Sequence, residues 1–191
     1  SIKIYFDPIK MDRRNDADYI FITHSHYDHF SKEDILNLKN DKTVIIGPYD
    51  IYDKCIEMGF DKSNIILVKP FSNYDYGVVK FKVVPAYNID KPFHPKENNW
   101  AGYVLEFEEK SYYVAGDTDA LDENLDIKVD MAFIPIGGVY TMDALSASEF
   151  VNKLKPKVVV PIHYGMVVGD ESDLNRFIEN VNSDIEVRVL L

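Results

Sequence analysis

Residues 23–29, THSHYDH, form the most specific motif in the sequence, and they hold three of the five histidines in the chain. Side chains two positions apart in an extended backbone point to the same side, so His24 and His26 are predicted to bind one metal ion. Asp28 and His29 follow at a turn and are predicted to bind a second ion. A group of surface histidines at a strand end is the alternative, which so dense a pattern disfavours. Imidazole with one carboxylate favours Zn²⁺, with Mn²⁺ or Fe²⁺ as alternatives.

Two further candidate ligands lie far away in the sequence, each just past an apolar run. Asp117 follows the run 111–115, and Gly116 allows the sharp turn that would leave its carboxylate projecting from a strand end. A carboxylate has two oxygens and can bridge two metals. His163 follows the run 157–162. Read alone, each is an ordinary turn aspartate or core histidine, but they share one arrangement with the first motif.

Composition bounds the class of protein. The chain has 191 residues, so we expect one domain over 1–191, and 46% hydrophobic residues suffice for a sizeable core. The net charge of −11 argues against a nucleic-acid binder that neutralises phosphates. No apolar run approaches the length of a membrane span, and the single cysteine, Cys55, excludes an internal disulfide. Without a targeting signal at the start, a cytoplasmic location is expected.

Strand-length and helical patterns alternate along the chain and predict a mixed α/β architecture with many strands and about four helices. The predicted strands are 2–6, 18–22, 43–46, 64–68, 78–84, 101–107, 111–115, 131–136, 157–162 and 185–190. Helices are predicted from a capping-box-like start at Ser31 and over 50–58, 143–155 and 172–181. Their apolar faces are predicted to include Ile35, Leu36, Leu38, Ile51, Cys55, Met58, Leu145, Phe150, Val151, Leu154, Leu174, Phe177, Ile178 and Val181.

The three segments HSHYDH, AGDTD and PIHYG, in that order, resemble the metallo-β-lactamase superfamily of dinuclear metal hydrolases. Within it, the chain is most similar to the single-domain branch of ascorbate-phosphate-lactonase-like and uncharacterised metal-dependent hydrolases. The resemblance covers most of the chain, from Asp7 to about residue 170. It implies a four-layer αββα sandwich with the metals at one edge of the two sheets. Relatives usually begin with one more hairpin strand, so the first strand is expected to be absent here.

The resemblance also implies a ligand set for two zinc ions. His24 and His26 match the ligands of the first site. Asp28, His29 and His163 match the second site, and Asp117 matches the bridging carboxylate.

One position departs from the family pattern. Asn88 stands where a third histidine of the first site is expected, and the remaining histidine, His94, comes six residues later. Asparagine is a poor zinc ligand compared with imidazole. We expect the loop to fold back so that His94 replaces the missing ligand. In the alternative, His94 binds substrate or is exposed, and the first metal site is weak.

The implied chemistry is attack by a metal-activated water on a small ester, lactone or phosphoester. Asp28 or Asp117 would orient this water or accept its proton, and Tyr140 and Tyr164 are candidate hydrogen-bond donors to substrate. Because the metals add positive charge, we expect a small-molecule substrate that can be anionic. Neither nucleic acid nor membrane is an expected partner, and a homo-oligomer is compatible with the sequence.

Three other functions compete with this hypothesis. A di-iron oxidoreductase can use the same fold, but such sites typically carry an acidic residue where His26 stands. A non-catalytic metal-binding protein would account for Asn88. A nuclease is disfavoured by the acidic composition and by the lack of a nucleic-acid-binding insert. The fold does not fix the substrate, so β-lactamase activity does not follow from the family.

Overall fold

A computed structural model describes residues 2–76 and 78–190. The chain divides into two compact units, Ser1–Lys69 and Pro70–Leu191, called here the amino-terminal and carboxy-terminal units. Within the described residues, no helix has the length and apolar character needed to cross a membrane. The prediction that 1–191 forms one domain stays a prediction.

The amino-terminal unit is a parallel four-stranded sheet in the order β1-β2-β3-β4 with two short helices. Its core packs Ile20, Ile35 and Cys55 together with neighbouring apolar side chains. Ser31 caps the first helix by accepting from the backbone N–H of Asp34, as its sequence predicts. The elements are β1 (Ile4–Phe6), β2 (Tyr19–Phe21), α1 (Lys32–Leu38), β3 (Val44–Gly47), a 3₁₀ turn (Tyr49–Ile51), α2 (Tyr52–Glu57), a 3₁₀ turn (Lys62–Asn64) and β4 (Ile65–Leu67).

The carboxy-terminal unit is a seven-stranded mixed sheet in the order β11-β10-β9-β8-β7-β6-β5. Its core includes Tyr113, Phe150 and Phe177, which link the sheet to both helices. The elements are β5 (Ser72–Asp75), β6 (Lys80–Pro85), a 3₁₀ turn (Lys96–Asn98), β7 (Ala101–Phe107), β8 (Lys110–Val114), a 3₁₀ turn (Asp122–Asn124), β9 (Met131–Pro135), α3 (Ala144–Leu154), β10 (Val158–Ile162), α4 (Glu171–Asn180) and β11 (Glu186–Val187).

Strand direction brings four strand ends to one edge of the seven-stranded sheet. Strands β8, β9 and β10 are parallel. Strand β6 runs with them, because it is antiparallel to β7 and β7 is antiparallel to β8. The carboxyl ends of all four therefore meet at the same edge. Asn88, His94, Asp117 and His163 follow these ends.

The α/β composition is confirmed, and each predicted strand and helix has a counterpart in the structure. Strand β5 was not predicted as an element, because its sequence, SNYD, is polar; it is an edge strand that pairs with β6. Three predicted core positions are wrong: Leu36, Leu145 and Ile178 are 40%, 48% and 41% exposed. Each sits about 100° around its helix from a buried neighbour, and in α3 small residues such as Ala144 and Ala147 take the buried face instead.

Candidate functional site

The amino-terminal cluster consists of Asp7, Thr23, His24, His26, Asp28 and His29. The Nε2 atom of His24 lies 3.1 Å from Nδ1 of His26. The His24 and His29 rings are 4.1 Å apart between centroids, and Nε2 of His29 lies 3.7 Å from a carboxylate oxygen of Asp28. A tight turn in which the N–H of His29 donates to the carbonyl of His26 holds the segment. The structure thus gathers the four candidates of the first motif in one place.

Asp7 anchors this cluster, although sequence reasoning gave it no role in the site. Because β1 and β2 are parallel with Phe6 beside Phe21, Asp7 and Thr23 follow at the same edge. The Asp7 carboxylate accepts from the backbone N–H of Thr23 at 2.8 Å and from the Thr23 hydroxyl at 2.6 Å. It also contacts Nδ1 of His29 at 2.7 Å. The signal in the sequence was weak, since an Asp-Pro pair after a strand is common in turns.

These contacts indicate which ring nitrogen of His24 and of His29 is available to a metal. The Asp7 carboxylate can only accept, so Nδ1 of His29 carries the proton. The Thr23 hydroxyl donates to Asp7 and therefore accepts from Nδ1 of His24, at 3.0 Å. In both rings Nε2 is the atom presented for ligation. A carboxylate or hydroxyl behind a histidine is the usual support for a metal-binding ring.

The carboxy-terminal cluster consists of Asn88, His94, Asp117 and His163. One oxygen of Asp117, Oδ2, lies 3.2 Å from Nε2 of His94 and 3.1 Å from Nε2 of His163. His94 and Asp117 are buried. The loop after β6 folds back and places His94 beside Asp117. That His94 replaces the missing ligand of the first metal site stays a prediction. Asn88 lies behind the ring, with its side-chain oxygen 2.9 Å from Nδ1 of His94.

Backbone geometry sets two of these positions. Gly116 has a φ of +67°, which lets the chain turn immediately before Asp117, as predicted. His163 itself has a φ of +56°, a conformation that is costly for a side-chain-bearing residue. Gly137 permits it to sit there, since a Cβ at 137 would lie 2.3 Å from the carbonyl oxygen of His163.

The two candidate substrate-binding tyrosines, Tyr140 and Tyr164, contact mainly other protein groups through packing. The Tyr140 ring packs edge-to-face on Phe93 at 4.6 Å, and its carbonyl accepts from the Asn88 amide at 2.9 Å. Tyr164 is half-buried against the core, and burial raises the pKa of its phenol, which keeps it a hydrogen-bond donor at neutral pH. Lys91 is paired with Asp119 in this unit.

The donor set fits zinc. A tetrahedral zinc ion with nitrogen and oxygen ligands at about 2.0–2.1 Å has ligand atoms about 3.3 Å apart. The closest pairs within each cluster lie 3.1–3.2 Å apart, near that separation. Imidazoles supported from behind, with a few carboxylates, are the ligands that zinc prefers over magnesium or calcium.

Comparisons with known proteins find sequences and folds that are similar to this chain. Residues 1–163 match the family described as "Beta-lactamase superfamily domain". A UPF0173 metal-dependent hydrolase of Staphylococcus aureus strain MRSA252 is 35% identical over 186 residues, which cover 90% of this chain and 79% of that protein.

Two solved structures share the fold. A candidate metal-dependent hydrolase from Parabacteroides distasonis superposes with a TM-score of 0.82 at 28% identity, covering 97% of this chain and 83% of the other. Igni18, a metallo hydrolase from the archaeon Ignicoccus hospitalis, has a TM-score of 0.75 at 24% identity, covering 99% and 87%. The metallo-β-lactamase fold that the three sequence motifs predicted is confirmed.

Proposed function

We propose that this chain, which belongs to the beta-lactamase superfamily, is a metal-dependent hydrolase that uses two zinc ions to cleave a small ester, lactone or phosphoester. The observation that carries the proposal is Oδ2 of Asp117, which faces the Nε2 atoms of His94 and His163 at 3.2 and 3.1 Å. Such convergence of ring nitrogens on one buried carboxylate oxygen is typical of a metal centre.

The assignment of the proposed ligands follows the order of the sequence motifs. His24, His26 and His94 would serve one ion, and Asp28, His29 and His163 the other. Asp117 would bridge the two. When bound, zinc supplies a Lewis acid that lowers the pKa of a water ligand from about 15.7 towards 7.

The chain's own residues have distinct tasks in this proposal. Asp7 holds the proton on Nδ1 of His29. This leaves Nε2, on the far side of the ring from Asp7, as the atom that would bind the metal. Asp28, which is part-buried beside His29, would accept the proton that the attacking water loses. Tyr164 would donate a hydrogen bond to the substrate oxygen, since its phenol stays protonated.

The charge balance supports a small anionic substrate. Two divalent ions outweigh the carboxylates of Asp28 and Asp117, so the centre is positive although the chain carries −11. The pairing of Lys91 with Asp119 leaves this attraction to the metals rather than to a lysine patch.

The test is to measure the metal content of the purified chain and its turnover of lactone, phosphodiester and thioester substrates, before and after chelation. We expect close to two zinc ions per chain and a hydrolytic activity that chelation removes and added zinc restores. Zinc binding without turnover of any of these substrates would contradict the hydrolase and favour a metal-binding protein. Two iron ions with an iron-type absorption spectrum would contradict it in favour of an oxidoreductase.

A further inference from the structure

Asn88 is buried and contacts the candidate ligand His94. Two roles are open to it, which are to bind the metal directly or to support His94. Its side chain is 6% exposed, and that of His94 is 1% exposed. The side-chain oxygen of Asn88 lies 3.1 Å from the backbone nitrogen of His94 and 2.9 Å from ring atom Nδ1. The side-chain nitrogen lies 2.9 Å from the carbonyl oxygen of Tyr140.

The partners of this amide fix its orientation. The backbone N–H of His94 can only donate, so the atom of Asn88 that faces it is the oxygen. The Tyr140 carbonyl can only accept, so the atom that faces it is the NH₂ group. The oxygen of Asn88 is thus occupied by two groups of His94, which leaves it poorly suited to bind a metal.

The same network fixes the ring of His94. Nδ1 faces two acceptors, the Asn88 side-chain oxygen at 2.9 Å and the Tyr140 carbonyl at 3.1 Å, so Nδ1 carries a proton. Nε2 then faces Asp117. Trp100 packs edge-to-face on the ring at 5.5 Å and limits its rotation.

The loop that carries both residues is held at several points. The backbone N–H of Asn88 donates to the carbonyl of His94 at 2.8 Å, which closes the loop on itself. The N–H of Ile89 donates to the carboxylate of Asp119 at 2.9 Å, and Lys91 pairs with the same carboxylate. These contacts hold the backbone that carries Asn88 and His94 in place.

We propose that Asn88 is a positioning residue that selects the Nδ1-protonated form of His94 and aims Nε2 at Asp117, so that the asparagine supports the histidine that serves as ligand in its place. The functional meaning of this inference rests on the proposed metal centre, but the ring geometry does not. The chain offers a matched control in Asn124, which is also buried and whose amide donates to the Pro85 carbonyl at 3.0 Å and to the Tyr113 hydroxyl at 3.2 Å.

The first experiment needs no metal. Long-range ¹H–¹⁵N correlation spectra of the chelated, histidine-labelled chain should show a proton on Nδ1 of His94 that exchanges slowly with water. In Asn88→Leu we expect this exchange to be at least about tenfold faster, because the ring loses its nearer acceptor. Asn124→Leu should leave it unchanged. A proton on Nε2 alone in the wild type, or equal exchange in Asn88→Leu, would overturn the inference.

The second experiment uses zinc alone, measured by competition with a chelator. Asn88→Leu should lower the affinity by about 10–100-fold, the usual cost of losing a support behind a metal ligand, while Asn124→Leu stays within about threefold. Equal losses in both variants would reduce the role of Asn88 to general stability.

Addition of zinc to the labelled wild type separates support from direct ligation. We expect the Nε2 resonance of His94 to shift while the Nδ1 proton persists. An unshifted Nε2 would mean that Asn88 or another group binds the metal, and loss of the Nδ1 proton would mean that zinc binds Nδ1 of His94. Either result would overturn the inference. If the wild type bound no zinc, the proposed function would fail, whereas the spectrum without metal would still decide how Asn88 holds His94.

Discussion

The two clusters of candidate ligands are built in opposite ways. In the amino-terminal cluster, four candidates come from the six residues His24–His29, and a single turn brings their side chains together. In the carboxy-terminal cluster, the candidate ligands His94, Asp117 and His163 each follow a different strand, and the register of β6, β8 and β10 brings them together. The first cluster depends on local sequence, and the second depends on the whole sheet. Mutations that disturb packing should therefore affect the second cluster more.

The largest effect should come from Asp117→Ala. Asp117 is the carboxylate that faces both histidines of the carboxy-terminal cluster, so its loss should reduce metal-dependent turnover by more than about a thousandfold, beyond the 10–100-fold typical of a supporting residue. Steady-state kinetics of the zinc-loaded variant would measure this. The control is Asp130→Ala, which removes a carboxylate whose pKa is held at about 2 by Lys157 and Ser111. Full activity in Asp117→Ala would contradict the dinuclear proposal.

Gly137→Ala tests the dependence of the second cluster on packing. The added Cβ would meet the His163 carbonyl at 2.3 Å, so His163 must move, and a shift of about 1 Å costs about 100-fold in rate. The readouts are turnover and zinc stoichiometry. The matched control is Gly59→Ala in the amino-terminal unit, where φ is +77° and no atom lies within 4 Å of the new Cβ. That variant should lose stability without losing activity. Similar activity losses in the two variants would remove the distinction drawn between the clusters.

Asp7→Asn tests the support that the Asp7 carboxylate gives to His29 in the amino-terminal cluster. The amide keeps the shape of the side chain but loses the negative charge that favours the proton on Nδ1 of His29. We expect zinc affinity to fall by about tenfold, at the low end for such supports. Asp16→Asn, which removes the surface carboxylate that pairs with Lys3, is the control and should change nothing at the metal. An unchanged affinity in Asp7→Asn would show that the turn alone positions His29.

The smallest expected effect is on stability at high pH, and it comes from Cys55, which lies in the core of the amino-terminal unit. Burial raises the pKa of its thiol to about 12, so the unfolded chain, with a thiol pKa near 9, releases this proton first as pH rises. Stability should therefore fall between about pH 9 and 12, by up to about 1.4 kcal/mol per pH unit from this group. Urea unfolding at several pH values should show this slope in the wild type and a shallower one in Cys55→Ala. Equal slopes would mean that the native thiol is accessible.

The predictability of the molecule follows the same division. The strands and helices were predictable because apolar runs and caps such as Ser31 act over a few residues. The motif at 23–29 was recognisable from its chemistry alone. The roles of Asp7 and Asn88 were not, because each depends on hydrogen bonds to residues that a neighbouring strand or loop supplies. The role of Gly137 could not be predicted either, since His163 approaches it closely only once β9 and β10 are paired.

Asp7 and His163 each carry a positive φ immediately after a strand. For protein engineering this has a practical cost. Glycine adopts such a backbone readily, so a stability-guided library would favour glycine at both positions. Each such replacement would remove a side chain from one of the two clusters. Selection for heat resistance alone should therefore yield robust but inactive chains, and these two sites need to be held constant in any such campaign.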